Sequence, residues 1–145
     1  MTDNPNIALV QRFFAAYAEH DHEAMRSEIL APDVTWSIPG RHPLGGIKRG
    51  ADEILAYVAE LPRASFQADP IVIAAEGDHV VDVHRGWAAY EEASLDMHWV
   101  LVYRIEHGRI KQVENVAADQ YAADAFFGRV WSDKAPSRLV EEVRT

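Results

Sequence analysis

The sequence predicts an α+β fold: three helices and one short strand, then a four-strand antiparallel meander closed by a terminal helix. Three observations predict it. Ile7, Val10, Phe13, Phe14 and Tyr17 recur at three- and four-residue spacing, which draws one apolar stripe along a helix. From Phe66 to Val116 the chain is rich in β-branched and aromatic residues broken by short turn signals. Within that region, Leu95 to Val116 reads as two strands folded back on each other around Glu106-His107-Gly108, where Gly108 supplies the positive φ of a tight hairpin.

The elements follow in order. Asn4 or Asn6 can cap the first helix, with Pro5 tolerated in its first turn. Asp21 can cap a second, short helix whose Ala24, Met25, Ile29 and Leu30 face inward and which Pro32 stops. Val34-Thr35-Trp36-Ser37-Ile38 alternates as a short strand. The segment from Pro39 to Gly50 holds four glycines and two prolines and reads as an irregular loop. Its glycines lack the order of a phosphate loop and the lysine-serine that follows one. Asp52 caps the next helix, which carries Ile54, Leu55, Val58 and Leu61 to Pro62.

Phe66 to Ala75 is a strand in which Pro70 favours an edge or a bulge. After the turn Glu76-Gly77-Asp78, the strand from His79 to Tyr90 divides into Val81, Val83, Arg85, Trp87 and Ala89 against Val80, Asp82, His84, Gly86, Ala88 and Tyr90. Gly86 marks a bulge or a close approach. On the next strand Leu95, Met97, Trp99, Leu101, Tyr103 and Ile105 oppose Asp96, His98, Val100, Val102 and Arg104; on the last, Val113, Asn115 and Ala117 oppose Ile110, Gln112, Glu114 and Val116. Asp119 caps a closing helix with Tyr121, Ala122, Ala125 and Phe126 inward. Residues 1–131 are expected to form a single domain, with 132–145 a charged, flexible tail.

Composition excludes several function classes. A length of 145 residues suits one core, and without cysteine there is no disulfide, thiolate nucleophile or thiolate metal site. A net charge of -9 argues against a nucleic-acid surface. No secretory signal or apolar run long enough for a membrane span is visible, so a cytoplasmic address is the expectation. The seven histidines make no His-Glu-x-x-His or other compact metal signature, and neither metal nor cofactor is inferred.

Tyr17-Ala18-Glu19-His20-Asp21, Ala31-Pro32-Asp33-Val34-Thr35-Trp36, Pro43-Leu44-Gly45-Gly46 through Gly50, the turn ending Gly108-Arg109-Ile110, and Asp119-Gln120 with Asp124-Ala125-Phe126-Phe127 give the chain its likeness. Over roughly residues 7 to 128 it resembles the nuclear transport factor 2-like (NTF2-like) fold, and within it the polyketide-cyclase-like (SnoaL-like) branch that neighbours ketosteroid isomerases and limonene-epoxide hydrolases. The resemblance implies a cone-shaped, curved antiparallel sheet of about four long strands plus one short strand, wrapped by about three helices with a short closing helix around a pocket. It is specific for fold and unspecific for reaction.

Residue by residue, the comparison with ketosteroid isomerase is mostly negative. Its aspartate base falls at Ile38, its neutral aspartic acid at Val100 and its tyrosine at Phe14, and none of these three can donate or abstract a proton. Tyr17 lies one turn from Phe14. The match implies that the Val100 face looks into the pocket, bringing His98 and Asp96 with it, while the Val113 face brings Asn115. His98 is then the first candidate acid/base, since an ordinary histidine titrates near neutrality. The alternation leaves open whether His84 or Arg85 reaches the pocket, because a one-residue slip exchanges the faces. Trp36 and Tyr17 are expected in the wall, His42 as a gate residue, and Asp119 as a cap or pocket acid.

The functional expectation is a small-molecule pocket protein: a cofactor-free isomerase or cyclase acting on a cyclic hydrophobic metabolite by proton transfer. The alternative is a noncatalytic ligand-binding or protein-interaction domain. Epoxide hydrolysis ranks lower, since Arg85, Asp96 and Asp119 supply the residue types without the compact Arg-x-Asp spacing. Leu95, Met97, Trp99 and Leu101, placed outward by this assignment, predict a homodimer through the sheet face.

Overall fold

Asn4 opens the first helix, its side-chain oxygen accepting hydrogen bonds from the backbone N–H groups of Asn6 and Ile7 at 2.9 and 3.2 Å. The computed structural model describes residues 4–134. The helix, α1 (Pro5–Glu19), buries Leu9, Val10, Phe13 and Ala16 and ends at His20, whose φ of 56° is left-handed. Asp21 caps the short α2 (His22–Ala24), which continues as one π-helical turn, Met25–Ile29. After β1 (Leu30–Ile38) and β2 (Gly46–Arg49) comes α3 (Gly50–Glu60) with a 3₁₀ turn, Leu61–Ala64. Four strands follow: β3 (Gln67–Glu76), β4 (His79–Tyr90), β5 (Ala93–Glu106) and β6 (Arg109–Ala117); α4 (Gln120–Val130) closes the described chain.

All six strands form one sheet in the order β2-β1-β6-β5-β4-β3. Every pairing is antiparallel except β1 with β6, which is parallel. The expected cone-shaped, all-antiparallel sheet is therefore corrected to an open mixed sheet with β2 and β3 as its edges. Two local misreadings lie behind this. Pro32 does not stop a helix but lies in β1, in the irregular stretch between Leu30 and Thr35 of the β1–β6 ladder, where its missing N–H costs nothing. Gly46–Arg49, read as loop, forms the edge strand β2 against Thr35 to Ile38.

The β5–β6 turn uses two residues with positive φ, His107 at 53° and Gly108 at 74°, the backbone that a two-residue hairpin requires. Pro70 sits on the edge strand β3 beside a register shift between Pro70 and Val72. The charged tail proposed for 132–145 falls almost wholly outside the described residues.

The face assignment on β5 is the second correction. Leu95, Trp99, Leu101, Tyr103 and Ile105 are buried in the core, whereas Asp96 and His98 are exposed and Val100 is half-buried. The odd-numbered residues face inward because that face carries the larger rings and leucines, worth about 2 kcal/mol or more each on burial. Turning the other face in would strip water from Asp96, His98 and Arg104. The Leu95-Met97-Trp99-Leu101 stripe is therefore not an outward surface. On β6, Ile110 and Val113 are both buried because a bulge between Arg104 and Ile105 leaves one extra residue, Lys111, on β6.

Candidate functional site

Facing residues across an antiparallel ladder share a side, so the pairs His84 with Trp99, Asp82 with Leu101, and Leu101 with Asn115 set one inner row. Phe13, Phe14 and Tyr17 of α1 and Tyr57 and Val58 of α3 also line the space over this row, with Phe66 and Phe127. The cavity is partly open to the outside and has a volume of about 90 Å³. Its wall is almost entirely rings and aliphatic groups, and His84 is one of its few polar members.

Behind His84 lies a buried polar chain. His84 Nδ1 is 2.6 Å from Asp82 Oδ1, and the Tyr103 hydroxyl donates to Asp82 Oδ2 at 2.7 Å. Asp82 and Tyr103 are both 0% exposed. Burial, and then the charge of Asp82, push the Tyr103 phenol well above its ordinary range, so it remains a donor. A carboxylate only accepts, so Nδ1 carries the proton toward Asp82 and Nε2 is the nitrogen left to the cavity. Phe14 packs edge-on against the imidazole, with centroids 5.6 Å apart, and fixes the ring from the other side.

Trp36 adds its ring to the wall. It is 4% exposed, lies against Phe13 and Tyr57, and its indole Nε1 is buried without a hydrogen-bond partner among the described residues. Tyr17 donates its hydroxyl to the Phe66 carbonyl at 2.9 Å, and burial pushes its phenol up to about 12. This bond ties α1 to the segment before β3. There an outer cleft of about 660 Å³ adjoins the cavity, sharing Phe14, Tyr17, Phe66, Gln67 and Ala68 as walls.

The predicted site residues separate into two groups. Phe14, Tyr17, Trp36, His84 and Asn115 line the cavity. Ile38 and Val113 are core residues beside it. His98, Asp96, Val100 and Arg85 occupy the other face of the sheet, reversing the inward placement expected for the Val100 face. There Arg85 makes two hydrogen bonds to Asp96, at 2.9 and 2.7 Å, and lies 4.2 Å over the Trp87 ring. Those bonds hold the Asp96 carboxyl below its ordinary range. Asp119 is exposed and caps α4 through the Ala122 N–H. Arg85, Asp96 and Asp119 therefore do not converge on one water at the cavity.

His42 is 4% exposed, stacks on Phe127 with centroids 4.5 Å apart, and accepts from the Leu44 N–H at Nδ1. Asp82 and Tyr103 were absent from the predicted site. The Asp82-x-His84 spacing on one strand face was the signal available; no local pattern placed Tyr103 beside them. Gly86 marks no bulge in the β4–β5 ladder. The Trp99 indole occupies its missing side chain's place and donates to the Gly86 carbonyl at 3.3 Å.

Residues 10–113 match the SnoaL-like domain family. Uncharacterized protein Rv0034 of Mycobacterium tuberculosis is 30% identical over 131 residues, which span 88% of this chain and 99% of that one. Among solved structures, Bal32a from a soil-derived mobile gene cassette is similar with a TM-score of 0.80 at 25% identity, covering 85% of this chain and 96% of that one. A protein of cystatin-like fold from Xanthomonas campestris is 31% identical with a TM-score of 0.75, covering 86% and 98%. The fold is shared by a putative polyketide cyclase from Sinorhizobium meliloti, at 24% identity and a TM-score of 0.63 over 75% and 94% of the two chains. A cavity set between one sheet face and its covering helices, together with these likenesses, places the chain in the SnoaL-like family of NTF2-like proteins.

Proposed function

We propose that this protein binds a small, flat, hydrophobic cyclic metabolite and moves a proton on it without a cofactor, with His84 as the acid/base and Asp82 as the group behind it. The observation that carries this reading is the Tyr103–Asp82–His84 chain ending at an apolar cavity. Proton uptake at Nε2 creates an imidazolium against a buried carboxylate already oriented for it, so little reorganisation accompanies the transfer. Exclusion of water strengthens that pairing and protects an enol or enolate from quenching. Isomerisation and ring closure both begin with such a step.

Size limits the ligand. An enclosed apolar cavity of ~150 Å³ holds one benzene. The present cavity of about 90 Å³ admits the reacting edge of a ring, while the remainder occupies the outer cleft past Tyr17 and Phe66.

Solvent-deuterium incorporation into the α-position of simple cyclic ketones such as 1-indanone, followed by proton NMR, tests the proposal. The wild-type protein is expected to accelerate exchange, His84→Gln to abolish the acceleration and His98→Ala to leave it intact. Binding without accelerated exchange would leave a noncatalytic pocket as the better account; loss on His98→Ala would move the chemistry to the other sheet face.

The same proposal includes a homodimer. Val72, Val81, Val83, Val100, Val102 and Val116 lie on the sheet face opposite the cavity, where exposure reaches 51% at Val72 and 44% at Val116. An apolar centre rimmed by Arg85, Asp96, Arg104 and Glu114 is self-complementary across a two-fold axis. Sedimentation of wild type against Val100→Arg reads it: a monomeric wild type refutes it.

A further inference from the structure

Beyond α4 the chain is fastened to one place. Trp131 is fully buried, and its indole N–H donates to Glu60 Oε1 at 2.8 Å. Arg63 donates to the Val130 carbonyl at 3.3 Å and to Asp133 Oδ1 at 2.7 Å, while Lys134 Nζ lies 3.6 Å from Glu60 Oε2. Glu60 ends α3, and Arg63 belongs to the 3₁₀ turn Leu61–Ala64 that follows it. Pro62 of that same turn and Ser65 just after it are walls of the outer cleft. The described chain therefore stops beside the rim of this cleft, on the helical side of the sheet and away from the valine face.

The cleft is largely apolar ground without a cover. Phe14, Ala15, Ala18, Phe66, Ala68 and Pro70 form much of its wall, and Ala15, Ala18 and Pro70 are exposed. Aliphatic groups laid on such a wall stabilise it by about 25 cal/mol per Å² covered. The sequence that continues past Lys134 supplies them. At helical spacing, Leu139, Val140 and Val143 share one side, and Arg138, Glu141 and Glu142 share the other. Leu139 comes five residues after Lys134, a reach of at most about 17 Å. The four-residue turn to be passed is about 8 Å long, so the apolar side arrives where the cleft begins.

We infer that the outer cleft is the seat of this chain's own residues 135–145, with Leu139, Val140 and Val143 laid against Phe14, Ala18 and Phe66. Phe14, Tyr17, Phe66 and Gln67 border both the cleft and the inner cavity. The seated segment thus covers the cavity's mouth, and a bound molecule that extends past Tyr17 and Phe66 has to displace it. The inference goes beyond the proton-transfer reading and does not depend on His84.

Methyl NMR of the 145-residue chain tests it. The Leu139, Val140 and Val143 methyl resonances are expected to lie upfield of their positions in a free peptide of the same sequence, and to show NOE contacts with the Phe14 and Phe66 rings. A chain ending at Lys134 retains α4 and Trp131. It is expected to shift the amide resonances of Ala15, Ala18 and Ala68 while leaving those of Val81 and Val102, on the other sheet face, in place. Leu139→Asp combined with Val143→Asp should reproduce those shifts in the intact chain, which separates loss of the apolar contacts from loss of the segment. The wild-type contacts decide the matter even where a variant fails to fold.

Mixing isotope-labelled with unlabelled chains identifies the source of the contacts. Contacts within one molecule support the inference, whereas contacts found only between molecules overturn it in favour of an exchange between copies. Methyl resonances at free-peptide positions, or contacts with Val83 and Val100 instead, overturn it outright. Deuterium exchange that depends on His84 is unaffected by any of these outcomes, so the failure of either claim leaves the other standing.

Discussion

His42 should make the protein sensitive to acid through a group that forms no part of the proton-transfer chain. Burial pushes its imidazole down to about 4, offset in part by the charge of Asp124. An unfolded histidine takes up its proton near the ordinary value of about 6.5. The folded value is the lower one, so the stabilisation is fully present above about pH 6.5 and is lost as the pH falls toward about 4. Between those limits the unfolded chain binds a proton that the native state refuses, a difference of roughly 3 kcal/mol at ~1.36 kcal/mol per pH unit. His42→Phe keeps a ring against Phe127 and removes the titration. Urea denaturation of wild type and His42→Phe at pH 7.5, 6.5, 5.5 and 4.5 checks it. The wild type is expected to lose about 2.5 kcal/mol more than the variant across that range. Two parallel curves would refute the reasoning and show that the ring is solvated in the native state.

Two further substitutions probe the packing around the dyad. A methyl group on Gly86 would lie 2.7 Å from both Cδ1 and Nε1 of Trp99, so Gly86→Ala should displace that indole, shift its fluorescence and cost about 1–3 kcal/mol in urea denaturation; an unchanged spectrum and midpoint would count against the close approach. Tyr103→Phe deletes the donor to buried Asp82 Oδ2 and should cost about 1–3 kcal/mol, with a loss below about 0.5 kcal/mol showing that the carboxylate finds another partner.

Much of the fold was legible because its signals are local. The apolar stripe of α1, the Asp21 and Asp119 caps and the His107-Gly108 turn each report on a few adjacent residues. Strand β2 was not legible, since Gly46–Arg49 has no alternation of its own and is a strand only because β1 offers it a partner. Closure of the sheet is likewise a property of all six strands together, and it was inferred from likeness alone.

The site shows the same division. The β5 residues divided into their two faces as a strand must, but parity does not say which face is inside. Taking Val100 as the anchor drew His98 and Asp96 inward; the greater apolar area of Trp99, Leu101, Tyr103 and Ile105 decided the opposite. On β4 the pairing of Asp82 with His84 on one face was visible, yet their burial depended on register with Trp99 and Leu101. The orphaned nitrogen of Trp36 could not be read from sequence at all, because only a folded core makes a donor partnerless.

Nitrogen NMR of the neutral His84 ring tests the central claim most directly, since the account needs Asp82 to hold the proton on Nδ1 and leave the Nε2 lone pair to the cavity. The predicted result is a protonated Nδ1 and a bare Nε2 in the wild type, with Asp82→Asn releasing that preference. A ring carrying its proton on Nε2 would contradict the account, because His84 would then present a donor to the cavity and could not be the base.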